Sequence, residues 1–145
     1  MAIVLGIDAK LFRGEAGATA KTLVEKIKDV TLTLESGEAD VTTRATKGWR
    51  ASAATLKDAS LEFELQYDTE DEDYQAFAAA YFGNTPIALF VSDGNGVGLD
   101  ADFSVLSFTI NQPLEEAMSV SVSAKPTATA RAPEWNEEGP TTENA

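Results

Sequence analysis

The chain has 145 residues, 43% of them apolar and 24% charged, and contains neither cysteine nor histidine. That length fits one domain with its own core, while disulfides, thiol chemistry, and the commonest general base and metal ligand are all excluded. Twenty-four acids against 11 bases give a net charge of −13, a surface that repels nucleic acid instead of gripping it.

The charge is uneven. Residues 1–28 carry five bases and three acids, whereas no Lys or Arg falls between Asp58 and Ala124, against 13 acids. Serving solubility alone is the bland reading of such a balance. No apolar run approaches the roughly 18 residues needed to span a bilayer. No charged n-region followed by an apolar stretch marks a signal peptide. The expectation is a soluble protein made in a cytoplasm.

In chain order, residues 3–13 ("IVLGIDAKLFR") alternate with Leu5, Ile7, Ala9 and Leu11 on one face, the pattern of a half-buried strand. Residues 14–22 are small and polar and read as a loop; "LVEKIKD" fits one helical turn through Leu23, Val24 and Ile27 but stays ambiguous. "VTLTLE" is a β-branched strand with Val30, Leu32 and Leu34 inward. "SGE" reads as a turn, and "ADVTTRA" as a possible return strand. "SLEFELQYD" sets Leu61, Phe63, Leu65 and Tyr67 against Ser60, Glu62, Glu64 and Gln66, so one face is core and the other an acid ladder.

A helix is expected over about residues 70–82. Thr69 and Glu72 have capping-box spacing, acids fill the first turn, and Tyr74, Phe77, Ala78 and Tyr81 form one stripe. Gly83-Asn84 and Pro86 end it. "IALFVSD" reads as a strand buried on both faces, followed by the Gly-rich loop "GNGVGLDA". "DFSVLSFTIN" changes phase near Leu106–Phe108, which predicts a bulge. "AMSVSVSAK" alternates Met118, Val120, Val122 and Ala124 with Ser119, Ser121 and Ser123. The Pro, Thr and acid-rich end, residues 126–145, reads as an extended C-terminal arm with Trp135 as its anchor. The fold class is therefore mainly β: an antiparallel β-sandwich or partial barrel in one domain, residues 1–125, with one flanking helix and flexible loops at about 14–28 and 36–51.

Catalysis finds little footing. Glu62 and Glu64 share a strand face without a positioned partner, and the serines sit at alternating strand positions without a histidine. The run from Asp93 offers Asp, Asn and Gly at positions 1, 3 and 6 of a calcium loop. It puts Val97 at position 5 and Ser104 at position 12, so two ligands are missing. No enzyme activity, metal or cofactor is expected. The connector 36–51 points to assembly instead. Arg44, Trp49 and Arg50 are favoured anchors at protein contacts, and acids elsewhere on an identical copy suit the two guanidiniums. Such a head-to-tail contact makes rings or filaments. The competing reading has Trp49 capping the core beneath its own loop.

The segments "KDVTLTLESGEADVTTRATKGWRASAATLKDASLEFELQYD", "DEDYQAFAAAYFGNTPIALFVSDG", "NQPLEEAMSVSVSAKPT" and "APEW" resemble the tail tube (major tail) proteins of long-tailed, non-contractile bacteriophages. The likeness covers roughly residues 28–135, and "DVTTR…GWRA" and "DASLEFE" are its most specific parts. The resemblance implies a β-sandwich or barrel whose copies form six-membered rings. Those rings stack into a hollow virion tube with an inner barrel of about 24 strands, through which DNA passes without specific binding. It implies assembly in the host cytoplasm, contacts with tape measure, tail terminator and tail tip proteins, and no membrane. On this chain the contact residues become Asp40, Thr42, Thr43, Arg44, Trp49, Arg50 and Trp135. The lumen candidates are Glu62 and Glu64, or the row Ser119, Ser121, Ser123. The alternatives are a tube protein of a secretion or contractile injection system and a monomeric acidic β-sandwich binding module, with the "DGNGVG" loop taking a ligand or ion.

Overall fold

Runs of alternating β-formers dominate the chain, and in the computed structural model they join one continuous sheet. The structure describes residues 3, 5, 6, 9–127, 129 and 131–139. Its strands are β1 (Lys10–Glu15), β2 (Thr22–Leu23), β3 (Ile27–Asp40), β4 (Ser52–Gln66), β5 (Ile87–Ser92), β6 (Gly98–Asn111), β7 (Ser119–Pro126) and β8 (Glu134–Asn136). One helix, α1 (Glu72–Phe82), lies between β4 and β5. The sheet order is β2-β1-β5-β6-β7-β4-β3, with β8 added to β6, and every pairing is antiparallel. The sheet curls into a half-barrel, the mainly antiparallel form with one helix that the sequence implies.

The core lies inside the curl. Leu61, Phe63 and Leu65 of β4 pack with Val120, Val122 and Ala124 of β7, Phe103 of β6, and Leu11 and Leu89 from β1 and β5. Burying each large side chain contributes about 1.5–3 kcal/mol. The helix closes the core with Phe77, whose ring centroid lies 5.0 Å from that of Phe63. Arg13 on β1 pins the helix start through Asp73, Nε to Oδ1 at 2.5 Å. β5 is buried on both faces as expected: Leu89 enters the main core, while Ala88 and Phe90 join Phe12 and Ala20 in a second, smaller one.

Several boundaries differ from the sequence reading. The first strand runs over Lys10–Glu15, not 3–13; Leu11 and Phe12 are both fully buried because each faces one of the two cores. Ile7 of the expected face lies outside the described residues. "LVEKIKD" is not helical: Leu23 pairs with Phe12, Val24 is buried, and Ile27 begins β3. "SGE" is not a turn. Gly37 lies in β3 where the register shifts between Ser36 and Glu38, and a Cβ there would meet Thr55 Oγ1 at 2.5 Å, so the glycine marks a bulge. The capping box does not form. Asp71 is the N-cap and makes no side-chain cap bond, while the Thr69 carbonyl accepts from Gln75 Nε2. The predicted phase change is real: Val105 pairs with Ala124 and Ser107 with Ser123, leaving Leu106 as the extra residue. Asp93 Oδ1 accepts from the amides of Asn95 and Val97, which makes the Gly-rich loop a tight hairpin turn.

The C-terminal segment folds back along the sheet. Leu99 pairs with Trp135, and the Gly139 amide donates to the Gly96 carbonyl at 2.9 Å. A buried ionic cluster fastens it. Arg131 donates through Nη1 to Asp100 at 2.7 Å and through Nε to Asp102 at 2.9 Å. Its Nη2 lies 2.8 Å from Asp102 Oδ1 without the angle for a hydrogen bond. Thr129, Thr19 and the Gly17 amide fill the remaining carboxylate lone pairs. Burial pushes the Asp102 carboxyl up, but hydrogen bonds from Arg131, Thr129 and Gly17 outweigh it and hold the group below its ordinary value.

Removing Arg131 strands two buried carboxylates. Arg131→Ala is expected to cost about 3 kcal/mol and to speed amide exchange at residues 134–136. Because the folded-state value of Asp102 is lowered, its contribution is complete above about pH 4 and is lost as pH falls through the lower folded value. Acid unfolding followed by circular dichroism checks this: the stability gap between wild type and variant narrows in that range, and a gap independent of pH would contradict it.

Candidate functional site

The outward face of the strands β6-β7-β4-β3 is polar from edge to edge. Register places Thr31, Glu62, Ser123 and Ser107 in one row across it. Lys28, Glu64, Ser121 and Thr109 form the next row, and Gln66, Ser119 and Asn111 a third. Glu62 and Glu64 therefore stand on the same face as Ser119, Ser121 and Ser123, directly opposite them across one strand gap. Asn111 Nδ2 donates to Ser121 Oγ at 3.1 Å, and Lys125 reaches Asp58 at 3.4 Å. The wall is lined by hydroxyls with a few charges and no large apolar group. Among the described residues, no group of three His, Cys, Asp or Glu is placed to hold a metal ion.

Both lateral edges of this four-strand wall are open among the described residues. β3 pairs only with β4, and β6 beyond Phe103 pairs only with β7. Apolar side chains stand exposed along these margins: Val30 and Leu34 on β3, Leu106 and Ile110 on β6, with Phe82 at the helix end. Open edges and exposed apolar groups are what a lone domain avoids.

The distal halves of β3 and β4 leave the body of the protein as a two-stranded ribbon. From Thr33 to Asp40 and from Ser52 to Asp58 every residue is exposed, on both faces. The loop at its tip is well tied. Asp40 Oδ1 accepts from the Thr42 amide at 2.9 Å, and hydrogen bonding from Thr42 holds the Asp40 carboxyl below its usual range. Thr42 Oγ1 accepts from the Ala51 amide, Thr43 Oγ1 from the Ala45 amide, and Thr46 Oγ1 donates to the Thr43 carbonyl. A 3₁₀ turn over Arg44–Thr46 follows, and Lys47 and Gly48 take positive φ to bring the chain round.

This geometry divides the residues that the sequence singled out. Asp40, Thr42 and Thr43 spend their polar atoms inside the loop. Arg44, Trp49 and Arg50 do not. Trp49 is 78% exposed and covers no core, and neither Arg44, Lys47, Arg50 nor Lys57 has an acidic partner among the described residues. No acid occurs between Val41 and Lys57, so the ribbon tip is cationic on an anionic protein. Trp135 lies apart from the tip, half-exposed on β8 beside the ribbon's base. At the far end of the body, Asp68, Glu70, Asp71 and Glu72 gather near the helix start. Lys26 answers only one of them, at 2.6 Å from Asp68; that hydrogen bond lowers the Asp68 value and raises that of Lys26.

Sequence reasoning missed the groove beside Trp135 and the exposed Leu56 and Leu114, because each depends on what the fold leaves uncovered. The matched polar rows of β3 and β6 needed the register, which period-two alternation cannot supply.

No protein-family model matches the chain, and no curated protein matches it in sequence. Solved structures do. The tail of an empty gene transfer agent particle, refined helically with C6 symmetry, superposes with a TM-score of 0.70 at 16% identity, covering 92% of this chain and 98% of that one. The SPP1 tail tube superposes at 0.74 with 17% identity, covering 96% and 82%. The baseplate of the anti-feeding prophage follows at 0.57 with 6% identity, covering 86% and 91%. The chain has the fold of phage tail tube proteins.

Proposed function

We propose that this protein is the building block of a phage tail tube, a structural and not a catalytic component of the virion. Six copies close into a ring, rings stack, and the polar face of β6-β7-β4-β3 lines the bore. The single observation that carries the reading is the projecting ribbon, wet on both faces and cationic at its tip, on a chain of net charge −13. A two-stranded ribbon without a core is at best marginally stable alone; an identical neighbour supplies both the surface and the acids that complete it. The ring follows from the open edges. β3 of one copy joins β6 of the next, so six four-strand walls make a closed barrel of about 24 strands, wide enough to leave a channel. Arg44, Trp49 and Arg50 reach a neighbouring copy, and Asp40, Thr42 and Thr43 hold the tip in shape for it.

The bore chemistry supports a conduit. DNA leaving a capsid must not stick to its path. Glu62 and Glu64 with rows of Ser and Thr repel or ignore phosphates, and with a Debye length of about 8 Å at physiological salt the repulsion acts close to the wall. Subunits are made and assembled in the host cytoplasm, and the finished tube meets tape measure, terminator and tip proteins at its inside and ends. The likeness to the anti-feeding prophage baseplate favours, as a second reading, a tube belonging to an injection particle; co-purification with a contractile sheath marks that case.

Concentrated protein is expected to form hollow fibres in negative stain and a concentration-dependent heavy boundary in sedimentation; a single boundary at monomer mass under every salt and concentration would contradict the reading. Replacing residues 36–57 by a short turn is expected to leave the core folded, with a stability change within about 0.5 kcal/mol, while abolishing the fibres. The double variant Glu62→Lys/Glu64→Lys is expected to make tubes that retain short duplex DNA at low salt and release it as salt rises. Wild-type tubes retain none, and equal retention by both would contradict the placement of these residues in the bore.

A further inference from the structure

An apolar groove of about 780 Å³ opens at the base of the ribbon. Its apolar walls are Leu34, Ala59, Leu99, Pro126, Pro133 and Trp135, and Glu35, Ser36, Lys57 and Asp58 complete the lining. It exists because β7 stops at Pro126, leaving the β4 edge around Lys57–Ala59 facing β8 across a gap. Leu34 is 55% and Trp135 53% exposed there. At the other end of the same strands, the loop of residues 112–118 joins β6 to β7, and Leu114 at its tip is 99% exposed. Seven residues of strand, roughly 23 Å, separate Ser119 beside that loop from Pro126 at the groove.

We propose that Leu114 of one copy seats in this groove of a second copy, forming the apolar centre of the head-to-tail contact between successive subunits. The inference rests on the tube reading above. Three features select a second copy as the occupant. Knob and groove lie at opposite ends of one strand pair, so displacing a copy along the strands brings them together, which is the geometry of an open, heterologous contact. Charges match in the same displacement. Leu114 is followed by Glu115 and Glu116, and the acids at 68–72 stand at the same end, next to the Gln66–Ser119 pair. The ribbon rising from the groove carries Arg44, Lys47, Arg50 and Lys57 in the acid-free span from Val41 to Lys57, while its strands hold Glu35, Glu38, Asp40 and Asp58, so its positive charge is gathered toward the tip. Finally, an apolar centre with a charged rim is how specific protein contacts are built. The cations of the ribbon tip then orient the approach toward the acids of the second copy.

The chain has no cysteine, which makes proximity testable without a background. In tubes assembled from Pro113→Cys/Pro133→Cys protein, a short bis-maleimide is expected to give a ladder of covalently linked chains on denaturing gels. Each single variant gives no ladder. Leu114→Asp, at a fully exposed position, is expected to keep the wild-type circular dichroism and melting point while raising the concentration needed for tube formation about tenfold or more. Leu114→Met is expected to assemble like wild type. Normal tubes from Leu114→Asp, or tubes from the double-cysteine chain without a ladder, would overturn this contact and leave the tube reading standing. Wild-type protein that forms no tubes at all overturns the tube reading and the contact with it.

Discussion

A pair of strands with water on both sides has no reason to stay ordered except its hydrogen bonds, and that constraint governs the whole molecule. β3 and β4 pair from the body of the sheet out to Asp40 and Ser52, but only their inner halves rest on a core. The outer halves gain nothing from apolar burial within the chain. A lone domain blunts such features. Here the ribbon instead has a tied tip, cations without an acidic partner among the described residues and an exposed Trp, and the proposed tube gives these groups a neighbour to meet. The same holds for the lateral edges, where Leu34, Leu106 and Ile110 remain uncovered.

The body of the protein provides a stiff frame for these incomplete parts. One face of the curled sheet is sealed by α1 and the main core, the second core covers the opposite face of β1 and β5, and Arg13–Asp73 and the Arg131 cluster tie the helix and the C-terminal segment to this frame. The other face stays polar over four strands. A sheet built this way does two jobs at once: its core side keeps the subunit folded, and its wet side is free to become a wall. Four of the carboxylates on that side, Glu35, Asp58, Glu62 and Glu64, face only Lys28 and Lys125, so the wall carries the sign of the whole chain.

Much of this was legible from residue order. Period-two alternation in "SLEFELQYD" and "AMSVSVSAK" identified the core strands and the polar rows, because a strand half buried in a sheet cannot hide its period. The phase slip at Leu106 was visible for the same reason. What the sequence hid was long-range. Gly37 reads as a turn because a bulge and a turn both call for glycine, and only the register of β3 against β4 distinguishes them. Thr69 and Glu72 had the right spacing for a cap, but the helix began two residues later, with Asp73 taken by Arg13. The groove at Trp135 comes from strands that end at different places, which no local pattern records. The bonds that hold Asp40, Thr42 and Thr43 inside the loop are likewise invisible in residue order, since Asx and hydroxyl turns use the same residues as contact surfaces do.

A cryo-EM reconstruction of the assembled fibre at side-chain resolution decides whether the sheet closes through its neighbours. β3 of each copy is expected to be hydrogen-bonded to β6 of its neighbour within a six-membered ring, with Glu62, Glu64, Ser121 and Ser123 facing an open bore. A fibre in which that polar face points outward, or in which β3 and β6 remain unpaired, would contradict this closure.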